Sequence, residues 1–255
     1  MDRILVRMPE LEYFLPAASA IQNYVSQIYD QIVRGAKHPD CQVVIEIADE
    51  SLLFFSPMFA RTELIVWEEE VVHRNDWECV LDLRDINRVL RVATTTQKHI
   101  TEGWGIMFGA APLKLPNLGY LGVGLAEPEI DVLLDVPEGT DKLEGWIAKN
   151  YPDLKVEWKN LSGRRPSAMF DVLARTRMYV GQRSAATYMA AMLGKGLVEL
   201  YTRDFPSWFL CKPKSEGYSL VYADSFSAEL VWLHMEEICQ NISNTKSPAE
   251  ILTAQ

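Results

Sequence analysis

Short apolar runs alternate with longer amphipathic stretches along most of the chain. Runs of this kind are typical of buried strands, and the longer stretches are typical of helices. The predicted strands are Ile4–Arg7, Gln42–Ile47, Glu63–Trp67, Glu78–Leu83, Ile130–Val136, Lys155–Trp158, Met178–Gly181, Leu197–Tyr201 and Ser219–Tyr222. The predicted helices lie near Pro16–Arg34, Glu50–Phe59, Asp85–His99, Gly139–Asn150, Pro166–Arg175, Ser184–Leu193 and Ser225–Asn241. Such alternation predicts an α/β fold, in which helices cover both faces of parallel sheets.

One stretch near the middle of the chain lacks this periodicity. Its sequence, PLKLPNLGYLGVGLAEPE, is rich in proline and glycine, as linkers between domains often are. We therefore expect two Rossmann-like lobes, residues 1–115 and 116–255, whose parallel sheets face a central cleft. A chain of 255 residues is long enough for two small lobes of this kind.

The most informative segment is RMYVGQRSAATYMAAMLGKGLVELY, residues 177–201. It reads as a strand, a tight turn, a helix that ends at Gly194, and a second strand. After a parallel strand, such a turn directs free N–H groups and the positive end of the helix dipole towards a bound phosphate. The pattern predicts a diphosphate site built from Gln182, Arg183, Ser184, Ala185 and Ala186.

The charge balance narrows the choice of ligand. The formal net charge is −10 and the isoelectric point is about 5.0, which argues against tight non-specific binding to nucleic acid. Several cations nevertheless collect along the sequence around the predicted turn, namely Arg164, Arg165, Arg175, Arg177, Arg183 and Lys195. This favours a small anionic ligand, although solvated charges at helix ends are an equally good interpretation of the arginines at 164, 165 and 175.

Neither a metal site nor export is indicated. The cysteines at positions 41, 79, 211 and 239 are widely spaced, and the four histidines form no ligand motif. No apolar run reaches the roughly 20 residues of a membrane span, and the start of the chain lacks the features of a secretory signal. We expect a cytoplasmic protein with reduced thiols and no cofactor; its oligomeric state stays open.

The predicted phosphate turn resembles a motif of the heptosyltransferase-like glycosyltransferases, D-S-G-x-x-H-x-A-A-x-x-G-K-P. Ser184 and the A-A-x-x-G-K residues at 190–195 match, whereas the glycine and histidine of the motif are missing and Tyr188 replaces the histidine. The beginning of the chain resembles the other half of the same family, where a strand is followed by G-D-x-x-x-x-x-P and a helix. Counted back from Pro16, Glu10 falls at the position of the family's catalytic aspartate and Pro9 at that of the glycine.

The resemblance implies a GT-B-like protein that moves a sugar from a nucleotide-diphosphate sugar to an acceptor hydroxyl without a metal ion. The N-terminal lobe would take the acceptor and the C-terminal lobe the donor. Glu10, or its neighbour Glu12, would be the general base. Further donor contacts are then expected from Lys142, Lys195, Asp204 and Trp208.

Other interpretations of the same residues stay open. Glu10 and Glu12 are also the ordinary acidic residues that precede a helix, and Lys142 has the character of an exposed helix lysine. The loss of the motif's glycine and histidine suits a degenerate relative that binds or assembles without catalysis. A different double-Rossmann enzyme of nucleotides or sugars is the third possibility, because fold alone does not decide function.

Overall fold

The computed structural model describes residues 3–59, 62–66, 77–109, 128–136, 141–201, 218–222, 229 and 231–237. The chain divides into two compact units, Met1–Pro116 with Arg165–Ala168, and Asn117–Arg164 with Met169–Gln255. We call them unit 1 and unit 2. Each holds one parallel sheet, of four strands in unit 1 and five in unit 2. This confirms the predicted α/β class.

The sheet of unit 1 has the strand order β3-β2-β1-β4, and all neighbours are parallel. Its strands are β1 (Arg3–Arg7), β2 (Gln42–Ile47), β3 (Glu63–Val66) and β4 (Cys79–Asp82). The two central strands are almost fully buried, as their near-continuous apolar sequences require. The helices are α1 (Leu11–Val33), a 3₁₀ helix (Glu50–Met58), α2 (Ile86–Thr96) and α3 (Ile100–Met107).

Three helix predictions in unit 1 need correction. Helix α1 begins at Leu11 rather than near Pro16, because a helical backbone from Leu11 onwards places Phe14 and Leu15 in the core. The segment predicted as a helix at Glu50–Phe59 is a 3₁₀ helix. The helix predicted to run to His99 ends at Thr96, since Gln97 adopts a left-handed backbone with φ 52°.

The sheet of unit 2 has the order β6-β5-β7-β8-β9 and is also parallel throughout. Its strands are β5 (Ile130–Asp135), β6 (Val156–Trp158), β7 (Thr176–Gln182), β8 (Gly196–Tyr201) and β9 (Tyr218–Tyr222). The helices are α4 (Asp141–Asn150), α5 (Pro166–Ala174) and α6 (Ala185–Met192), and residues 231–237 are helical as well. Every strand predicted for this half is present, with ends within two residues of the prediction.

The two faces of the second sheet differ in polarity. On one face, apolar residues of β5, β7 and β8 pack against α4 and the helix at 231–237. Successive side chains of a strand alternate between faces, so the register places Asp135, Tyr179, Gly181 and Glu199 on the other face. Tyr179 and Glu199 are fully buried there. Buried polar groups therefore lie on this second face of the sheet.

Candidate functional site

The turn after β7 leads directly into α6, as the sequence predicts. Ser184 has an extended backbone and is the N-cap of α6. Its backbone N–H donates to Thr187 Oγ1 at 3.2 Å, and the Thr187 hydroxyl donates to the carbonyl oxygen of Gln182 at 2.8 Å. One threonine thus bridges both sides of the turn. The following N–H groups, those of Ala185 and Ala186, belong to the helix positions that have no intrahelical acceptor.

A buried tyrosine and an aspartate lie beneath this turn. The hydroxyl of Tyr179 donates to Asp135 Oδ2 at 2.7 Å, and Asp135 Oδ1 accepts from the backbone N–H of Leu161 at 3.1 Å. Burial, reinforced by the Asp135 charge, holds the pKa of Tyr179 well above its usual range. The hydroxyl therefore stays protonated at neutral pH and donates its hydrogen bond to Asp135. Asp135 therefore joins the loop after β6 to the strand that ends in the predicted phosphate turn.

A glycine makes room for this arrangement. Gly181 is the neighbour of Asp135 in the adjacent strand, and a Cβ added to it would lie 2.5 Å from the Tyr179 hydroxyl oxygen. Real Cβ contacts are never that short, so the ring of Tyr179 leans along its own strand over the glycine. The position of the hydroxyl beside Asp135 depends on the missing side chain.

The cations that crowd this part of the sequence are separated by the fold. Lys195 precedes β8, and its Nζ donates to the carbonyl oxygen of Ala174 at 2.7 Å, at the amino end of the sheet. Burial lowers the pKa of Lys195. Arg175 and Arg177 lie at that same end, paired with Glu129 and with Asp131 respectively. The prediction that Lys195 supports the turn therefore does not fit its position.

The other donor-side predictions fare differently. Gln182 is exposed and Arg183 is half-buried, and both lie in the turn itself. Lys142 belongs to the first turn of α4, the helix that follows β5. Asp204 and Trp208 lie outside the residues that the structure describes. Gln182–Ala186 thus form the turn, while the donor contacts of Lys142, Asp204 and Trp208 stay predictions.

Unit 1 carries a pocket of about 340 Å³ at the carboxyl ends of its strands. It is lined by Met8, Pro9, Glu10, Tyr13, Glu46, Ile47, Ala48, Arg84 and Ile86. The start of α1 forms one wall, so that the N-terminal end of its dipole adjoins the cavity. Ligands of open α/β sheets bind at this edge.

The two candidate carboxylates lie at the start of α1, Glu10 directly before the helix and Glu12 inside it. Glu10 is the N-cap of α1, and its carbonyl oxygen accepts from the N–H groups of Tyr13 and Phe14 at 3.0 and 2.9 Å. Its side chain is exposed, and it belongs to the pocket lining. Glu12 lies within the first turn of the helix. Because α1 begins at Leu11, the connection from β1 is short and Glu12 is already helical.

Sequence reasoning missed a row of four charges beside the pocket. The strand register places Arg7 between Glu46 and Asp82. Arg7 Nε donates to Glu46 Oε2, and Arg7 Nη1 lies 3.6 Å from Asp82 Oδ2. Arg84 in turn donates to Asp82 at 2.8 Å and lowers the pKa of that carboxyl. The available signal was a charged residue within or directly after an apolar strand.

The central ion pair of this row is removed from water. Arg7 is 5% exposed and Glu46 is 2% exposed. Arg7 Nη2 and Glu46 Oε1 have no hydrogen-bond partner among the described residues. Unsatisfied buried groups of this kind are costly and are often completed by an ordered water or a ligand.

Metal and membrane features were sought in the same part of the chain. Within the described residues, no group of three or more histidine, cysteine, aspartate or glutamate side chains is placed to hold a metal ion. The helices described are all too short or too polar to cross a bilayer.

Several solved glycosyltransferase structures share this architecture. Escherichia coli heptosyltransferase WaaC with ADP superposes with a TM-score of 0.61 at 12% identity, over 92% of this chain and 99% of that one. The ADP-heptose lipopolysaccharide heptosyltransferase II of E. coli gives 0.60 at 12% identity, over 97% and 100%. A family 9 glycosyl transferase from Veillonella parvula gives 0.55 at 9% identity, over 97% and 91%.

These likenesses establish the fold, which is that of the heptosyltransferase structures. No protein-family profile matches the sequence, and no curated protein matches it either. The resemblance seen in the sequence motifs is thus confirmed at the level of architecture.

Proposed function

We propose that this protein is a glycosyltransferase that moves a sugar from a nucleotide-diphosphate sugar to an acceptor hydroxyl, without a metal ion. The observation that carries the proposal is the turn from Gln182 to Ala186. It opens a helix at the carboxyl end of a parallel strand, in a chain whose fold matches that of a heptosyltransferase solved with ADP. We assign the acceptor to unit 1, the predicted lobe 1–115, and the donor to unit 2, the predicted lobe 116–255.

The donor's diphosphate binds at the start of α6 in this proposal. The N–H groups of Ala185 and Ala186 hold its oxygens, and Arg183 and Lys142 supply positive charge. As the glycosidic bond breaks, the leaving diphosphate gains negative charge. Donors that are fixed in position before the reaction stabilise that charge and lower the barrier.

The acceptor hydroxyl occupies the pocket of unit 1. Its oxygen forms a bond to the anomeric carbon, the bond from that carbon to the diphosphate oxygen breaks, and the hydroxyl proton passes to Glu10. The exposed carboxylate of Glu10 lines the pocket, which is the location that a general base needs. Glu12 is the alternative base, two positions further along the chain.

A second candidate function is nucleotide binding without transfer. Tyr188, which replaces the histidine of the family motif, is fully buried in unit 2 and cannot supply a charge to a ligand. Pro9 replaces the glycine before the catalytic carboxylate and fixes the backbone there. These two replacements favour a degenerate relative that has kept the fold.

A thermal-shift screen separates these functions. The purified protein is mixed with ADP, UDP, GDP and CDP and with their sugar conjugates. A ligand at a hundred times its Kd stabilises the fold by about 2.7 kcal/mol, which shifts the unfolding midpoint visibly. A conjugate that stabilises and then loses its sugar to an acceptor supports the transferase. Stabilisation without turnover supports the binding protein, and no response to any nucleotide contradicts both.

A further inference from the structure

We infer that Asp135 and Tyr179 are positioning residues for the donor turn Gln182–Ala186, and that they select which of its N–H groups face the ligand. The inference rests on the proposed function, because it names how the donor end of that site is held. The two residues belong to different strands, β5 and β7. They meet only through the sheet, at the edge where the turn begins.

The first step is the link that Asp135 makes between a loop and strand β7. One carboxylate oxygen accepts from the Leu161 N–H, in the loop after β6, and the other accepts from the Tyr179 hydroxyl. Both oxygens are therefore committed to protein donors. The aspartate cannot shift without breaking one of these bonds, so it fixes the tyrosine relative to the neighbouring loop.

The second step is the link from Tyr179 to the turn. The hydroxyl oxygen of Tyr179 lies against Gly181, the residue directly before Gln182, at 2.5 Å from the position that a Cβ there would take. Thr187 donates to the Gln182 carbonyl oxygen and accepts from the Ser184 N–H. A continuous chain of contacts thus runs from Asp135 through Tyr179 and Gly181 to the turn that Thr187 bridges.

This chain determines what the turn offers to a ligand. The Ser184 N–H is turned inwards to Thr187, which leaves the N–H groups of Ala185 and Ala186 as the outward donors. A phenylalanine would fill the same space as Tyr179 and would avoid burying a hydroxyl group. A buried polar network at the ligand-binding edge is suited to preorganising the residues above it.

The test removes one oxygen atom. We expect Tyr179→Phe to weaken ADP binding at least tenfold, as measured by calorimetry on the full chain. Tyr151→Phe is the matched control, because Tyr151 lies in the same unit and stacks on Trp232 at 3.6 Å on the opposite face. It should leave ADP affinity unchanged. Retention of affinity within twofold in Tyr179→Phe would overturn the inference.

A second control separates positioning from general stability. Leu143→Ala empties part of the core on the opposite face of the sheet and should lower the unfolding temperature at least as much as Tyr179→Phe. We expect its ADP affinity to stay at the wild-type value while the protein is folded. Equal losses of affinity in Leu143→Ala and Tyr179→Phe would mean that the network is only structural.

Thr187 tests the order of the chain. Thr187→Val should reproduce the affinity loss of Tyr179→Phe, and Thr187→Ser, which keeps the hydroxyl, should restore most of it. The double variant Tyr179→Phe/Thr187→Val should lose no more than Thr187→Val alone, since both changes break the same chain. Additive losses would show that the two residues act separately and would contradict the inference.

Amide hydrogen exchange decides the matter without a ligand. Tyr179→Phe should speed exchange of the Ser184 N–H at least tenfold, and Tyr151→Phe should not. If the wild type binds no nucleotide, the proposed function fails while this measurement still tests the positioning. Unchanged exchange at Ser184 in Tyr179→Phe would overturn the inference even if ADP binds.

Discussion

The carboxyl ends of the two sheets are built from different kinds of polar contact. In unit 1, charged side chains pair with one another in the row from Glu46 through Arg7 to Asp82, and a cavity remains beside them. In unit 2, the Tyr179 hydroxyl bonds to Asp135 beside the glycine that leads into a backbone turn. The first arrangement leaves an open space lined by the exposed carboxylate of Glu10. The second leaves a rigid turn with outward N–H groups.

This difference matches the division of labour that we propose. An acceptor hydroxyl needs space and a base, whereas a diphosphate needs donors that are fixed before it binds. The proposed roles can therefore be tested separately in each unit. A change in unit 1 should alter turnover or stability without affecting nucleotide affinity, whereas a change in the turn of unit 2 should alter nucleotide affinity.

The largest effect is expected from Glu10→Gln. The amide keeps the shape of the side chain but cannot accept the acceptor's proton, so turnover should fall by roughly 10²–10⁴. ADP affinity, measured by calorimetry, should stay nearly constant, because our proposal assigns the donor to unit 2. Glu12→Gln is the matched control on the same helix. Wild-type turnover in Glu10→Gln would transfer the role to Glu12 or end the assignment.

The buried pair of unit 1 should dominate stability. Glu46→Leu leaves the Arg7 guanidinium buried with only its distant contact to Asp82, and we expect a loss of about 3–5 kcal/mol in the free energy of unfolding. Denaturant titration measures this. Replacing both partners, as in Arg7→Met/Glu46→Leu, should recover most of the loss. Glu63→Leu removes an exposed partner of Arg3 and should cost no more than about 1 kcal/mol.

In unit 2, Arg183→Ala should weaken ADP binding tenfold or more. Charge-assisted contacts to phosphate are worth roughly 1.5–3 kcal/mol each. Arg177→Ala, at the amino end of the same strand, should leave the affinity unchanged, because the strand separates it from the turn. Equal effects of the two substitutions would indicate a general loss of positive charge rather than a contact in the turn.

Gly181→Ala tests whether the space beside Gly181 holds the Tyr179 ring in place in unit 2. Because the new Cβ would lie 2.5 Å from the Tyr179 hydroxyl oxygen, the ring must move away from Asp135, at a cost of about 1–3 kcal/mol in stability. Gly145 is the matched control: it lies in α4 with nothing within 4 Å of an added Cβ. Alanine there should stabilise the helix by about 0.5–1 kcal/mol. Unfolding curves of both variants are the measurement.

The strands were predictable because parallel sheets bury both faces of a strand. The run Gln42–Ile47 is apolar nearly throughout, and its predicted ends agree with those of the structure. Helix ends were harder to predict. Pro16 is typical of the first position of a helix, yet here it lies inside α1 and is itself buried. Packing of the preceding residues against the core outweighed the local preference.

The turn of unit 2 was predictable because its residues are neighbours in the sequence, whereas the charge row of unit 1 joins residues that are far apart in the sequence. The turn is local, so the order of strand, small residues and helix is visible in a single segment. Arg7 and Glu46 are 39 positions apart, and Tyr179 and Asp135 are 44 apart. Only the strand order brings such residues together, and strand order has no signature within a single segment of sequence.

The smallest effect concerns pH and the outer end of the charge row. Hydrogen bonds from Arg84 lower the pKa of Asp82 below its ordinary value of 3.8 in the folded protein. The folded state therefore favours the ionised carboxylate. This contribution is present above the unfolded pKa, and it is lost as the pH falls through the lower folded pKa.

The stability difference between the wild type and Asp82→Asn should accordingly be constant at neutral pH and vanish in strong acid. Its size should be well under about 1 kcal/mol, because Asp82 and Arg84 are both more than one-third exposed and water screens the pair. Denaturant titrations of both proteins across the acid range provide the measurement, with Asp40→Asn as an exposed control. A difference that grows as the pH falls would mean that Asp82 is stabilised in its protonated form, and Arg84 would then not be its main partner.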